Sequence, residues 1–226
     1  MSTRASSRSG SAGPIAELCE QYWYPVYAYL RQRGHRRDEA EDLTQGFFAH
    51  LLAKRVLQRA EAGRGRLRSL LLACLTNFVV HEKQLLQRKK RGGTRSVSFC
   101  PPIDPRHVIE PRDELTPDKI YERQWAVTLL RRVLEQLRDE LTVDGKAQLF
   151  DVLKNYLVGD TARLDYRCAA AALNINEGAA RVAVHRLRRR YGDLLRQQIA
   201  QTVHGSTQDI EEEIKYLLIV VQHQAD

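Results

Sequence analysis

Asp165 to Leu195 reads DYRCAAAALNINEGAARVAVHRLRRRYGDLL, and this stretch decides the fold. A short Ala-rich helix ends at Leu173. The turn Asn174-Ile175-Asn176 follows, with Ile175 expected to plug the gap between two helices. Asn176 suits the N-cap of the second helix, because its side-chain oxygen can accept from an orphaned backbone N–H, and Glu177 suits the positive dipole end. In that second helix Ala180, Val184, Leu187, Tyr191, Leu194 and Gln198 fall on one face at helical spacing. The front presents Arg181, Val182, His185, Arg186, Arg188 and Arg189. A helix-turn-helix needs this division: an apolar back that docks on its scaffold, and a front of long donors. Arg in a major groove holds guanine through two hydrogen bonds, or grips phosphates. A surface helix with solvated arginines shares the two faces, but has no need of the Ala-rich helix and short turn before it. No second ligand lies near His185 that would make it a metal site.

Working outward, Tyr121 to Leu141 is periodic in Trp125, Leu129, Leu130, Val133, Leu134 and Leu137, and a further helix is expected over about Gly145 to Leu157. Thr116 is a plausible cap and Pro117 a good first-turn residue. Before them, Gly92 to Asp118 holds Pro101, Pro102, Pro105, Pro111 and Pro117 with little periodicity, which predicts an extended linker. Ile15 to Leu30 is a third amphipathic segment (Leu18, Cys19, Tyr22, Trp23, Val26, Tyr27), with Pro25 predicting a kink or break and Gly34 the end. Arg37 to Leu57 follows, acidic in its first turns, with a core face of Ala40, Leu43, Phe47 and Leu51. The loop Glu61 to Arg66 breaks it. Leu67 to Lys90 then buries Leu70, Leu71, Cys74, Leu75, Phe78 and Val79. No stretch shows sustained strand alternation. The expected fold class is all-α: two small helical domains joined by a Pro-rich linker, plus a C-terminal helical extension. The boundaries read as 1–14 flexible tail, 15–92 first domain, 93–117 linker, 118–203 helix-turn-helix domain and 204–226 acidic extension.

Charge is distributed unevenly. The chain has 226 residues, a formal net charge of +8, and 43% hydrophobic and 28% charged residues, an ordinary globular composition. Lys54 to Arg95 carries 12 basic residues against 2 acidic ones. Asn176 to Arg196 carries 6 Arg against Glu177 and Asp193, whereas Gly205 to Asp226 has one Lys against five acids. Two basic blocks, each tied to a helix, suggest two contacts on a polyanion. No apolar run approaches the ~18–20 residues of a membrane helix. Met1 to Pro14 is Ser/Gly/Arg-rich without an apolar centre, so no secretory signal is expected. Cys19, Cys74, Cys100 and Cys168 are widely spaced, which fits free thiols in a reducing, cytoplasmic setting and argues against a zinc site or disulfide framework. No cofactor is expected. Nothing in the chain resembles a carboxylate metal cluster, a Gly-rich phosphate loop or a nucleophile–base pair, so an enzyme such as a nuclease is not expected.

The stretch Asn176-Glu-Gly-Ala-Ala-Arg-Val-Ala-Val-His-Arg-Leu-Arg-Arg-Arg190 resembles the fourth conserved region of sigma factors of the sigma-70 family, extracytoplasmic-function (ECF) type. Asp38-Glu-Ala-Glu-Asp-Leu-Thr-Gln-Gly-Phe-Phe48 resembles the acidic motif of their second region. Order and separation match, and the resemblance covers about residues 15 to 200. It implies a dissociable promoter-specificity subunit of bacterial RNA polymerase. Its N-terminal domain would bind the polymerase clamp and open the −10 element, its C-terminal domain would read the −35 element of promoter DNA, and the linker would thread through the enzyme. Carried over onto this chain, Asp38, Glu41, Asp42, Gln45 and Phe48 are the polymerase-facing residues. Arg64, Arg66, Arg68, Asn77, Lys83, Arg88, Lys89 and Arg91 lie where strand-separated DNA would run, as a single strand wants a positive groove. Arg181, Val182, His185 and Arg186 face −35 bases, with Arg188 and Arg189 on phosphates. An anti-sigma factor or a serine/threonine kinase is the class of regulator the resemblance implies.

Three features depart from the family pattern, and the length of the Pro-rich linker is one of them. Gly46 sits within the acidic helix, at a cost of roughly 1 kcal/mol relative to Ala. Beyond Val203, Ile210, Ile214, Leu217, Leu218 and Val221 line one face of an acidic helix that could pack on the C-terminal domain, bind a regulator or mask phosphate contacts. The competing function is a stand-alone helix-turn-helix regulator, which would need a dimer to place two recognition helices one DNA turn apart.

Overall fold

The computed structural model describes residues 14–54, 65–89, 116–157 and 165–222. They form α1 (Pro14–Gln32), α2 (Arg37–Ala53), β1 (Gly65–Arg66), α3 (Leu67–Lys89), α4 (Pro117–Val143), α5 (Ala147–Leu153), a 3-10 turn (Lys154–Tyr156), α6 (Tyr166–Leu173), α7 (Glu177–Ala200), β2 (Val203–His204) and α8 (Thr207–Gln222). The molecule is mostly helical. Sequence patterning missed β1 and β2, which pair antiparallel with Gly65 opposite His204 and Arg66 opposite Val203. Two residues are too few to show an alternation. Most of the Pro-rich linker lies outside the described residues.

Helix ends are set by backbone closure. After α1, Gly34 takes φ +86° and His35 N–H donates back to Leu30 O at 3.2 Å. After α4, Gly145 takes φ +72° and Lys146 N–H reaches Leu141 O at 2.7 Å. After α6, Asn174 takes φ 52° and Ile175 N–H reaches Ala170 O at 3.0 Å. Each satisfies a terminal carbonyl through a left-handed residue, a conformation open to Gly and tolerated by Asn. At the N-terminal ends, Asn176 Oδ1 accepts from Ala179 N–H at 2.7 Å and Asp165 Oδ1 from Arg167 N–H at 2.9 Å.

The described residues fall into two units. The first comprises 14–54, 72–89 and 116–125, the second 65–71, 126–157 and 165–222. In the first, Tyr22, Val26, Tyr29 and Leu30 are buried with Ala40, Phe47 and Leu51 of α2 and Leu75 and Phe78 of α3. The ring centroids of Phe47 and Phe78 lie 5.7 Å apart, and the Tyr29 and Thr76 hydroxyls are hydrogen-bonded at 3.2 Å. Leu43 is only half-buried, and Thr44 and Phe48 fill the core instead. The Thr44 hydroxyl is satisfied there by donating to Ala40 O at 2.6 Å.

Of the kink or break expected at Pro25, the break is absent, since α1 runs unbroken from Pro14 to Gln32. Proline removes one helical hydrogen bond at a cost of about 3 kcal/mol. Buried Tyr22, Val26, Tyr27 and Leu30 flank it on both sides. Burial of such side chains contributes about 1.5–3 kcal/mol each, enough to hold the helix through the proline. At Gly46 a Cβ would meet Phe78 Cζ at 3.4 Å, an ordinary contact. Alanine would fit beside that ring, whereas a longer side chain would meet it.

In the second unit, Leu129, Val133 and Leu137 of α4 are buried, as are Phe150 and Leu153 of α5, Tyr166 and Ala169 of α6, and Ala180, Val184, Leu187 and Leu194 of α7. The buried Leu217 belongs to α8, which packs on α7 and carries an Arg196–Glu211 ion pair of 2.7 Å to it. Packing is thus the arrangement the extension adopts. Leu218, expected on its core face, is 44% exposed.

Candidate nucleic-acid interface

The apolar back of α7 is fixed at several points. Arg190 places Nε and Nη2 each 2.8 Å from the two carboxylate oxygens of Glu140 on α4, and the pairing holds the Glu140 carboxyl below its ordinary range. Tyr191 donates to Leu130 O at 3.2 Å, and burial pushes its phenol up to about 12. Gln148 Nε2 donates to Ala172 O at 3.3 Å, tying α5 to the end of α6. These contacts fix the rotation of α7 about its axis, which decides which residues face outward.

Arg181, Val182, His185, Arg186 and Arg189 are exposed on the outer face of α7. Val182 is 50% exposed although apolar, the size of patch that can meet a thymine methyl. Arg181 is pre-positioned: its Nη2 lies 2.7 Å from Glu177 Oε1 and its guanidinium stands 5.1 Å from the centroid of the Tyr166 ring. Glu177 raises the Arg181 pKa further. Arg188 departs from expectation. Its Nε donates to Tyr156 O at 2.7 Å and the side chain is partly buried, so it joins the helix to the 3-10 turn instead of standing out toward phosphates. Ile175 departs too: at 38% exposed it does not plug the gap between α6 and α7. The small side chains of Ala169, Ala170 and Ala180 are buried there and let the helices close without it.

On α2, Asp38 and Asp42 are exposed, and Glu41 and Gln45 are half-buried. Glu41 Oε1 accepts from Arg37 Nε at 3.0 Å, and Glu39 Oε2 accepts from Arg36 N–H at 3.1 Å, closing the helix start. Phe48 is 7% exposed, a core residue edge-on to Phe47 at 5.6 Å, so it offers little surface to a partner. The acidic face reduces to Asp38, Glu41, Asp42 and Gln45.

The expected single-strand residues separate. Asn77 and Lys83 are exposed on α3. Arg64 and Arg91 lie outside the described residues, as do the side chains of Arg88 and Lys89. Asn77 borders a cavity of about 370 Å³ lined also by His50, Lys54, Cys74, Phe78 and His81. His50 on α2 and Lys54 at its C-cap are four residues apart, and Asn77 and His81 are one turn apart on α3. That i, i+4 spacing was the signal that could have found the group. Burial, then Lys54 and His81, lower the His50 pKa. Arg68 is buried, and with the half-exposed Arg66 it holds the carboxylate of Glu213. Sequence reasoning missed Glu213, hidden among Glu211, Glu212 and Lys215.

Among the described residues no group of three or more His, Cys, Asp or Glu could hold a metal ion, and no helix is long and apolar enough to cross a membrane. No family model, curated protein or solved structure matches the chain.

Proposed function

We propose that this chain is a sigma factor of the ECF type, which binds core RNA polymerase and directs initiation at promoters through −35 and −10 elements. The observation that carries the reading is the outward strip Arg181, Val182, His185, Arg186 and Arg189 on α7, held by the Glu140–Arg190 and Tyr191–Leu130 contacts behind it. A positioned row of donors with one apolar spot suits duplex recognition, in which base contacts give specificity and phosphate contacts give affinity. The strip lies on the second helix of a tight helix-turn-helix, the element that enters the major groove. The exposed carboxylates of Asp38 and Asp42, with Glu41 and Gln45 beside them, support docking on a basic helical surface of the polymerase clamp. The chain would work in the cytoplasm and without a cofactor.

Mixing the purified chain with core polymerase tests the reading. Co-elution as a 1:1 complex that Asp38→Ala with Asp42→Ala weakens is the expected result. Tight DNA binding by a homodimer with no affinity for polymerase would instead establish a stand-alone regulator.

A further inference from the structure

Glu213 is an unusual acid. It sits in an exposed acidic helix, yet its side chain is only 1% exposed. Its Oε2 lies 2.8 Å from Arg66 Nε and 3.3 Å from Arg68 Nη2, and its Oε1 accepts from Arg68 Nε. The Arg68 guanidinium also stands 4.2 Å from the centroid of the Tyr216 ring, one turn along α8. Around this contact, β1 pairs with β2, and Leu67 N–H donates to Thr202 O at 2.9 Å. The helix begins at a Ser206–Asp209 cap, where Asp209 Oδ2 accepts from Ser206 N–H at 2.6 Å and from its hydroxyl at 2.8 Å.

Two guanidinium groups at the start of α3 make a cationic seat. The positive end of the helix dipole adds to it, and no acid in the first turn of α3 offsets it. Arg forks match a phosphate as well as a carboxylate. A buried ion pair contributes little net stability compared with a well-packed apolar pair, whereas removing one partner is costly. Exchange of one anion for another avoids that cost.

We propose that Arg66 and Arg68 form an anion-binding seat for a backbone phosphate of single-stranded DNA, which the chain's own Glu213 fills in the free protein. The extension is thus an internal competitor. Its net charge is opposite in sign to that of the basic stretch from Lys54 to Arg95. The strand displaces Glu213, and α8 lifts from the seat as it binds. This inference rests on the reading that the basic stretch holds strand-separated DNA.

Anisotropy of a labelled oligothymidylate with the full chain, without polymerase, tests it. Glu213→Gln keeps the shape and removes the charge. It should tighten binding by about 3–10-fold and steepen the salt dependence by about 0.7 in log–log slope, one added phosphate contact on a single strand. Arg66→Ala should change wild-type affinity little but cancel most of the gain in the Glu213→Gln background. Ser206→Ala, which loosens the start of α8 and leaves the charges around Arg66 unchanged, should also tighten binding, and it decides the matter if circular dichroism shows that Glu213→Gln does not fold. Unchanged affinity in both folded variants, or an equal loss from Arg66→Ala in both backgrounds, would make Glu213 a structural staple only and overturn the proposal. A chain that still forms a 1:1 polymerase complex in that case keeps the functional reading without the inference.

Discussion

Arg181 and Glu177 face each other one turn apart on α7, with 2.7 Å between Nη2 and Oε1. An exposed i, i+4 pair contributes little to stability. Its consequence is positional: the pair, with Tyr166 beneath, holds the guanidinium at the outer face of the helix. Duplex DNA can take Arg181 from Glu177 at small cost.

Arg181→Ala and Arg186→Ala should each lose about 1–3 kcal/mol of binding at one promoter position, with relaxed preference there. Arg189→Ala should weaken all duplexes alike and flatten the salt slope by about 0.9. Arg188→Ala should lower the melting temperature, because its hydrogen bond goes to Tyr156 O, and change the salt slope least. A titration series over salt, on specific and scrambled duplexes, separates these outcomes.

The turn between α6 and α7 depends on the left-handed Asn174. Asn174→Val places a β-branched residue at φ 52° and should cost about 1–2 kcal/mol, whereas Asn174→Gly should be tolerated. Thermal melts compare the two. Equal melting temperatures would contradict the assigned turn.

Close approach of Phe78 to Gly46 sets a size limit. Gly46→Ala gains helix propensity of up to about 1 kcal/mol and meets only an ordinary contact at 3.4 Å. Gly46→Leu must displace the ring and should destabilise by about 1–3 kcal/mol. Chemical denaturation of both variants reads the sign directly.

Tyr191 links stability to alkaline pH. Burial holds its folded pKa at about 12, above the ordinary tyrosine value of 10.0. The contribution is therefore fully present below pH 10 and is lost as the unfolded chain ionises between about pH 10 and 12. Tyr191→Phe should lose about 1 kcal/mol at neutral pH with the hydrogen bond to Leu130, and lose less further stability than wild type above pH 10. Melting curves from pH 8 to 11 check the slope.

Periodicity made the helices legible, because one buried face repeats at 3.6 residues wherever a helix packs on a core. Trp125, Leu129, Val133 and Leu137 show it on α4, and Ala180, Val184 and Leu187 on α7. Local capping chemistry made the Asn174–Asn176 turn legible for the same reason: its partners lie within a few residues. Long-range pairing was not legible. Arg68 and Glu213 are 145 residues apart, and nothing local to either one marks it as buried. Arg188 sits in a run of arginines of identical chemistry, and its hydrogen bond to Tyr156 O draws it from the outer face. Phe48 fell to the core because packing overrode its place in an acidic motif.

In-vitro transcription with core polymerase and a randomised promoter library decides whether this chain is a sigma factor. Initiation should require this chain, be enriched at a paired −35 and −10 element, and be abolished at those promoters by Arg181→Ala with Arg186→Ala. Initiation that is independent of the chain, or dependent on it but unchanged by that double substitution, would contradict the account.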